Sequence, residues 1–354
     1  MRAEMAFPKG GEGEGGIISR ERPPDYDRSK KVELCRGIYE EEYDEVVSFL
    51  KAENKMSSGI FTILSKEEIK RLVSLGVYTM LMRTTNSHLY GTIFSLPLPI
   101  RSNNEIIIHG CTSFLNVCSK VRKFGMCSIL IRELALYGFE NQIFCSYQLS
   151  TFKLHENAVK INTWYRPISL VRSLLLGFTF PGYNELSNFH KTREKFACKS
   201  VKGVDVKLVK ESNSDSALEF YLKLVENKKF AFYPDKNLFK KWIKAYPTYL
   251  VKGLGVFSVG IVNCKMSNGV EGTLASPLLF ACVDEKEAGE KILKSLLSVA
   301  SDKDFDVFYC NQIGDLTEKL LQYCSCIKNV NPSYFSLYNN SLKLDEKDIY
   351  TPLF

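Results

Sequence analysis

Two hydrophobic periods take turns along this chain. Apolar residues alternate over 77–83 and 89–96, which predicts two strands. Thr84-Thr85-Asn86-Ser87-His88 joins them as a hairpin, and Pro97 and Pro99 are expected to end the second strand. An apolar run at 106–117 predicts a third strand. Residues 127–137 then carry Ile129, Leu130, Leu134 and Tyr137 at helical spacing, and 142–148 reads as the next strand. Upstream, 32–54 reads as one helix with Ile38, Val46, Val47 and Leu50 inward. Ser65 with Glu68 predicts a capping box for a helix over 66–75, ended by Gly76. Trp164-Tyr165-Arg166-Pro167 leads into a helix at 168–176.

The second half repeats the plan. A strand at 206–209 precedes helices at 212–225 and 237–246. Residues 249–257 and 260–266 predict a hairpin, 278–283 a strand, 287–300 a helix and 305–310 a strand. Hairpin, strand, helix, strand thus occurs twice, a duplication of pattern rather than of residue identity.

The two copies differ where chemistry would show. The first places Lys120, Arg122 and Lys123 between strand and helix, with Gly125 allowing close backbone approach. A helix start leaves N–H groups unpaired under the positive end of the dipole, so this is an anion site suited to a pyrophosphate. It also reads as a solvated basic turn. Arg122, Gly125 and Cys127 resemble the Arg-x-x-Gly-x-small acyl-CoA loop of the GNAT acyltransferases. The second copy has Asp284, Glu285, Glu287 and Glu290 at that place, which repel phosphates and suit a cationic group such as a free amino terminus, or simply cap the helix.

Bulk properties narrow the field. A chain of 354 residues with 45% hydrophobic content can bury a large core. The net charge of +7 favours an anionic small ligand and does not argue for nucleic acid. No apolar run is long enough for a membrane span. Eleven cysteines lie scattered with no Cys-x-x-Cys, and no signal-peptide h-region precedes them, so a reducing cytoplasm is expected. The four histidines have no metal-ligand spacing. Residues 1–31, rich in glycine and with Pro23-Pro24, read as a flexible arm.

Three blocks together resemble N-myristoyltransferase (glycylpeptide N-tetradecanoyltransferase), a family of two fused GNAT-like halves. Ser113-Phe114-Leu115-Asn116-Val117-Cys118-Ser119-Lys120-Val121-Arg122, continued by Leu130-Ile131-Arg132-Glu133, is the first. Trp164-Tyr165-Arg166-Pro167-Ile168 is the second. Phe305-Asp306-Val307-Phe308 with Leu337-Tyr338-Asn339 is the third. Weaker similarity runs from about residue 76 to 354.

The resemblance implies an α+β fold, two GNAT-like halves around a continuous mixed, saddle-shaped sheet flanked by helices. The halves would be 32–180, binding acyl-CoA, and 202–354, binding peptide, with a crossover at 181–201. It implies transfer of a myristoyl group from CoA to the N-terminal glycine amine of proteins, by a cytoplasmic monomer with no resident cofactor and no metal. The backbone amides of Phe114 and Leu115 would hold the oxyanion. Asn116, Val117, Arg122, Lys123, Gly125, Met126 and Cys127, with Phe114 and Leu115, would bind the CoA end. The terminal carboxylate of Phe354 would be the general base.

This sequence departs from the family at Ser113, where the family has Asn, and at Leu149, where it has a threonine thought to assist the amine. The acidic run that reads lysine in the peptide is missing near 53–59, and the N-terminal lid motif on the acyl-CoA is not found. Two other readings therefore stand beside the first. One is a catalytically inactive acyl-CoA- or peptide-binding module on the same fold, and the other a GNAT enzyme using a shorter acyl donor.

Overall fold

The computed structural model describes residues 32–53, 60–84, 86–102, 104–180, 189–266, 269–340 and 342–354. The expected arm at 1–31 and part of the expected crossover lie outside them. The first half contains β1 (Val32–Arg36), α1 (Tyr43–Glu53), β2 (Ile60–Ile63), α2 (Lys66–Ser74), β3 (Tyr78–Thr84), β4 (Leu89–Ser102) and β5 (Glu105–Val117). It continues with α3 (Met126–Glu140), β6 (Cys145–Ser150), β7 (Val159–Ile161), β8 (Thr163–Pro167) and α4 (Leu170–Leu175). After α5 (Phe189–Lys195) come β9 (Val206–Leu208), α6 (Ser214–Val225), β10 (Phe230–Phe232), α7 (Lys236–Ala245), β11 (Thr248–Val251), β12 (Gly255–Met266) and β13 (Glu271–Cys282). The chain closes with α8 (Glu287–Asp302), β14 (Val307–Asn311), α9 (Glu318–Tyr323), β15 (Ile327–Lys328), β16 (Ser333–Tyr338) and β17 (Ile349–Tyr350).

The class is α+β, as expected. The strands form two hydrogen-bonded sheets. One runs β1-β3-β4-β5-β6-β16-β7, with β10 on β4 and β17 on β10. The other runs β15-β8-β14-β13-β12-β11-β9, with β2 on β12. The continuity expected of the sheet is carried by exchanged strands rather than by one unbroken ladder. Strand β8 of the first half pairs with β14, and β16 of the second half pairs with β6. The largest core cluster draws Phe94 and Tyr147 from the first half and Phe230, Trp242 and Phe335 from the second.

Four local expectations need correction. Residues 32–54 are not one helix: β1 pairs antiparallel with β3, Gly37 turns the chain at φ +91°, and the helix begins at Tyr43. Only half of the capping box forms. The Ser65 hydroxyl accepts from the Glu68 amide, but the Glu68 carboxylate accepts instead from the Tyr246 hydroxyl at 2.6 Å and from Arg71 at 2.8 Å. Pro97 and Pro99 do not end β4, which pairs with β5 through Ser102. They sit on its other edge, between the end of β3 pairing at Ser95 and the start of β10 pairing at Ile100, where no N–H is required. The second-half hairpin turns at Gly253, φ +71°, so β12 runs unbroken through Gly260 and pairs with all of β13.

The duplication does leave one identity. Gly91 opens the β4–β5 hairpin opposite Val117, and a Cβ there would meet Leu130 of α3. Gly255 opens the β12–β13 hairpin opposite Cys282, and a Cβ there would meet Ile292 of α8 and the Ala281 carbonyl. In both copies a helix packs against bare strand backbone. At Gly255 part of the obstacle is main chain, which cannot rotate away. We expect Gly255→Ala to lower unfolding stability by about 1–3 kcal/mol, read as a shifted urea midpoint at unchanged slope.

Candidate active site

The parallel ladder between β5 and β6 has four pairs, His109↔Cys145, Gly110↔Ser146, Cys111↔Tyr147 and Thr112↔Gln148. Beyond Thr112 the strands part. β5 continues along β4 to Val117, while β6 continues along β16, with Leu149 opposite Phe335 and Ser150 opposite Tyr334. Among the described residues, the edge of β5 past Thr112 thus has no strand beside it on that side.

A β-bulge lies at the mouth of this opening. Thr92 faces Asn116 and Phe94 faces Ser113, so Phe114 and Leu115 together stand against Ile93. Phe114 has φ +51°, a left-handed conformation costing an L-residue about 1–2 kcal/mol. It is held there by an edge-on contact with the Phe94 ring at 5.7 Å. The Thr92 hydroxyl also donates to its carbonyl at 3.1 Å. A left-handed residue breaks the strand's alternation, so neighbouring N–H groups can converge, as they do in backbone nests. The two residues expected to supply oxyanion donors are the two residues of the bulge.

Val117 ends β5, and a 3-10 turn over Ser119–Phe124 leads to Gly125 at φ +73° and then to α3. Gly125 is needed in that left-handed position. The Arg122 guanidinium is committed within the protein. It donates to the Val117 carbonyl at 2.9 Å and to the Glu53 carbonyl at 2.9 Å, and pairs with the Glu53 carboxylate at 3.4 Å. The Ser119 amide donates to the same carboxylate at 2.7 Å. Arg122 therefore braces the loop against α1. Met126 and Cys127 form the first turn of α3. Burial pushes the Cys127 thiol up, partly opposed by the charge of Arg122.

The start of α3 carries no acidic residue and no side-chain cap. The matching helix of the second half is closed by its own sequence. One Asp284 carboxylate oxygen accepts from the amides of Lys286 at 3.0 Å and Glu287 at 2.8 Å. The same structural position is thus without a side-chain cap in one copy, among the described residues, and capped by a carboxylate in the other.

The chain's end reaches the base of the opening. Tyr147 and Cys111, opposite each other in the ladder, both hold it. The Tyr147 hydroxyl shares a 2.7 Å bond with Thr351 and donates to the Pro352 carbonyl at 3.1 Å. The Cys111 thiol donates to the same carbonyl at 3.8 Å, and the Phe354 backbone is within its hydrogen-bonding reach. Burial pushes that thiol up to about 12. The Phe354 ring packs near Tyr246 at 5.8 Å and Trp242 at 6.3 Å. Cys111 precedes Phe114 by three residues, roughly 10 Å along a strand. Phe114, Leu149 and Phe354 all pack against one core cluster. Nothing in the sequence marked Cys111, Tyr147 or Tyr246, whose role depends on partners about a hundred or more residues distant.

No protein-family model matches the sequence, and a search of curated proteins finds no match. Solved structures do match. N-myristoyltransferase of Saccharomyces cerevisiae with bound myristoyl-CoA superposes at a TM-score of 0.81 with 14% identity, covering 98% of this chain and 96% of that one. Another structure of that protein with myristoyl-CoA gives 0.77 at 14% identity, over 95% and 87% of the two chains. A third, with myristoyl-CoA and inhibitors, also gives 0.77 at 14% identity, over 95% and 88%.

The chain has the N-myristoyltransferase fold. Within this N-myristoyltransferase fold, the sequence blocks that carried the resemblance mark the strand exchange. Trp164–Pro167 lies in β8 and pairs with the Val307-Phe308 block in β14, and Leu337-Tyr338 lies in β16 beside β6.

His109 begins the β5·β6 ladder, fully buried, donating through Nδ1 to the Ile107 carbonyl at 3.2 Å. Desolvation lowers its pKa from 6.5 to about 4, partly opposed by that bond. Between those values the unfolded chain takes up a proton that the folded chain refuses. Stability therefore falls as pH drops through this window, by roughly 3 kcal/mol in full. Denaturation midpoints across it should slope less steeply in His109→Gln than in the parent.

Proposed function

We propose that the protein is an acyltransferase that moves a myristoyl group from CoA to the N-terminal glycine amine of protein substrates. What supports this most is a strand bulge beside two parted parallel strands, followed along the chain by an uncapped helix start, with Pro352 and Phe354 held at the last pairs of the ladder. The second copy, with Asp284 at its helix start, lacks that combination. Residues 32–180 would then serve the acyl-CoA and 202–354 the peptide.

In the proposed reaction the glycine nitrogen attacks the thioester carbonyl. The carbonyl oxygen becomes an oxyanion beneath the amides of Phe114 and Leu115, where one such donor is typically worth roughly 3 kcal/mol. The C–N bond forms, the C–S bond breaks, and CoA leaves as its thiol. The proton that the nitrogen loses after attack goes to the departing sulfur, and before attack the ammonium gives one proton to the Phe354 carboxylate. An α-carboxyl near pKa 3.5 and an amino terminus near 8 leave a gap of about 6 kcal/mol against that transfer. The apolar rings around Phe354 act in the direction that narrows it, since burial disfavours a charged carboxylate. Asn116, Val117, Lys123, Gly125, Met126 and Cys127 would meet the CoA end, with Arg122 holding their loop in shape. The acyl chain would contribute about 0.8 kcal/mol for each methylene it buries. No helix among the described residues is long and apolar enough to cross a membrane, and no group of three or more His, Cys, Asp or Glu among them could hold a metal.

Leu149, packed where the family has a threonine, favours a second reading, in which the fold binds acyl-CoA without turnover. One experiment separates the two. The protein is extended by one glycine after Phe354 and compared with the parent for myristoyl-CoA binding and for acylation of a Gly-terminated peptide. We expect binding unchanged and transfer reduced at least about 100-fold. Transfer at the parent's rate would remove the carboxylate from the mechanism. Binding with no transfer by the parent itself would establish the inactive module.

A further inference from the structure

Helix α4 turns an aliphatic face to solvent. Val171, Leu174 and Leu175 are 55%, 42% and 50% exposed, and their i, i+3, i+4 spacing puts them on one side. The helix is fixed in that orientation. Arg172 pairs with Asp306 at 3.2 Å and donates to the Glu271 carbonyl at 2.6 Å. The Ser173 hydroxyl donates to the Asp306 carbonyl at 2.8 Å, and Leu176 is fully buried. Leaving such a face in water forgoes burial, and a chain with three large core clusters has had room to bury it.

The adjoining surface is basic. Residues 189–202 hold Lys191, Arg193, Lys195, Lys199 and Lys202, all exposed, against the single acid Glu194. One aromatic cluster seats both elements. Tyr165 contacts Phe178 at 5.1 Å and Phe180 at 6.4 Å, just beyond α4, and Phe180 contacts Phe196, just beyond α5, at 5.8 Å. Aliphatic side chains beside exposed cations match the interface of an anionic bilayer, which offers an acyl boundary under negative headgroups. A second copy of this chain fits less well, because a symmetric contact would bring two basic surfaces together.

We propose that the α4 face and the basic stretch after it form a docking surface for anionic membranes. Val171, Leu174 and Leu175 enter the headgroup–acyl boundary, and Lys191, Arg193 and Lys199 lie over the headgroups. This stands apart from the acyl-transfer reading, since none of these residues lies at the parted strands.

The test is co-sedimentation of the full chain with phosphatidylcholine vesicles, with and without phosphatidylserine. Binding is expected only with phosphatidylserine, weakening as salt is raised. The double variant Leu174→Asp with Leu175→Asp should lower partition about 10-fold or more, as should Lys191→Glu with Lys199→Glu, both at an unchanged thermal midpoint. Either of two results overturns the proposal. One is equal partition of parent and variants, including none at all. The other is self-association that the Leu174/Leu175 variant abolishes, without vesicle binding by the parent.

Discussion

Everything at the proposed site follows from a parallel ladder that stops after four pairs. Strands β5 and β6 part while each keeps the partner on its other edge: β5 stays on β4, and β6 stays on β16 from the other half. Among the described residues, backbone groups on the inner edge of β5 then lack a strand partner, a situation proteins leave only where water or a ligand can bond them. The bulge at Phe114 and Leu115 adds to this by turning main chain toward the gap at the cost of a left-handed phenylalanine. A conformation that costs energy and is pinned by both Thr92 and Phe94 is what a preorganised donor pair requires.

The duplication builds the same gap twice and fills one of them. In the second half, β13 and β14 pair over only Leu274↔Val307 and Ala275↔Phe308. The tail lies in the space beyond. Ile349, Tyr350 and Thr351 line it with Pro277, Leu278, Leu279 and Ile313, leaving a cavity of about 20 Å³, enough for one water. Buried Asp315 ties the tail to β13, accepting from the Cys282 amide at 2.9 Å and from the Tyr350 hydroxyl. Having occupied the second gap, the tail emerges at the base of the first, where Tyr147 and Cys111 receive it. The helix starts differ too, since Asp284 caps α8 while α3 begins at Gly125 with no side-chain cap among the described residues.

Periodicity found the elements that bury one face in a regular rhythm. The strands of the first hairpin, α3, α6, α7 and α8 were legible because their apolar spacing is set by one local contact surface. The failures were tertiary. Val32–Arg36 alternates too briefly to outweigh the helical pattern that follows, and becomes a strand only because β3 offers an edge. Pro97 and Pro99 look like terminators until the gap between β3 and β10 is known. The brace of Arg122 onto Glu53 was not legible, because that partner is 69 residues away. The Phe114–Leu115 pair was found through family resemblance, and its bulge was not legible. Positive φ at a phenylalanine has no local signal, since the residues enforcing it are across the sheet.

Strand exchange also bears on how far the two halves are separate objects. The pattern divides near 181–201, but the hydrogen bonds do not. Removing the second half would strip β16 from β6, and β10 and β17 from the edge of β4. Removing the first would strip β8 from β14 and β2 from β12. Each half alone would expose bare strand edges on both flanks of its ladder, the feature that most promotes aggregation. Phe230, Phe335 and Tyr147 meet edge-on or tilted within 5.6 Å in one core cluster, although the first two come from the opposite half to the third. The fusion is therefore a structural necessity, not a tether between two modules. The same interlock also carries residues 349–354 across from the second copy to the open gap of the first.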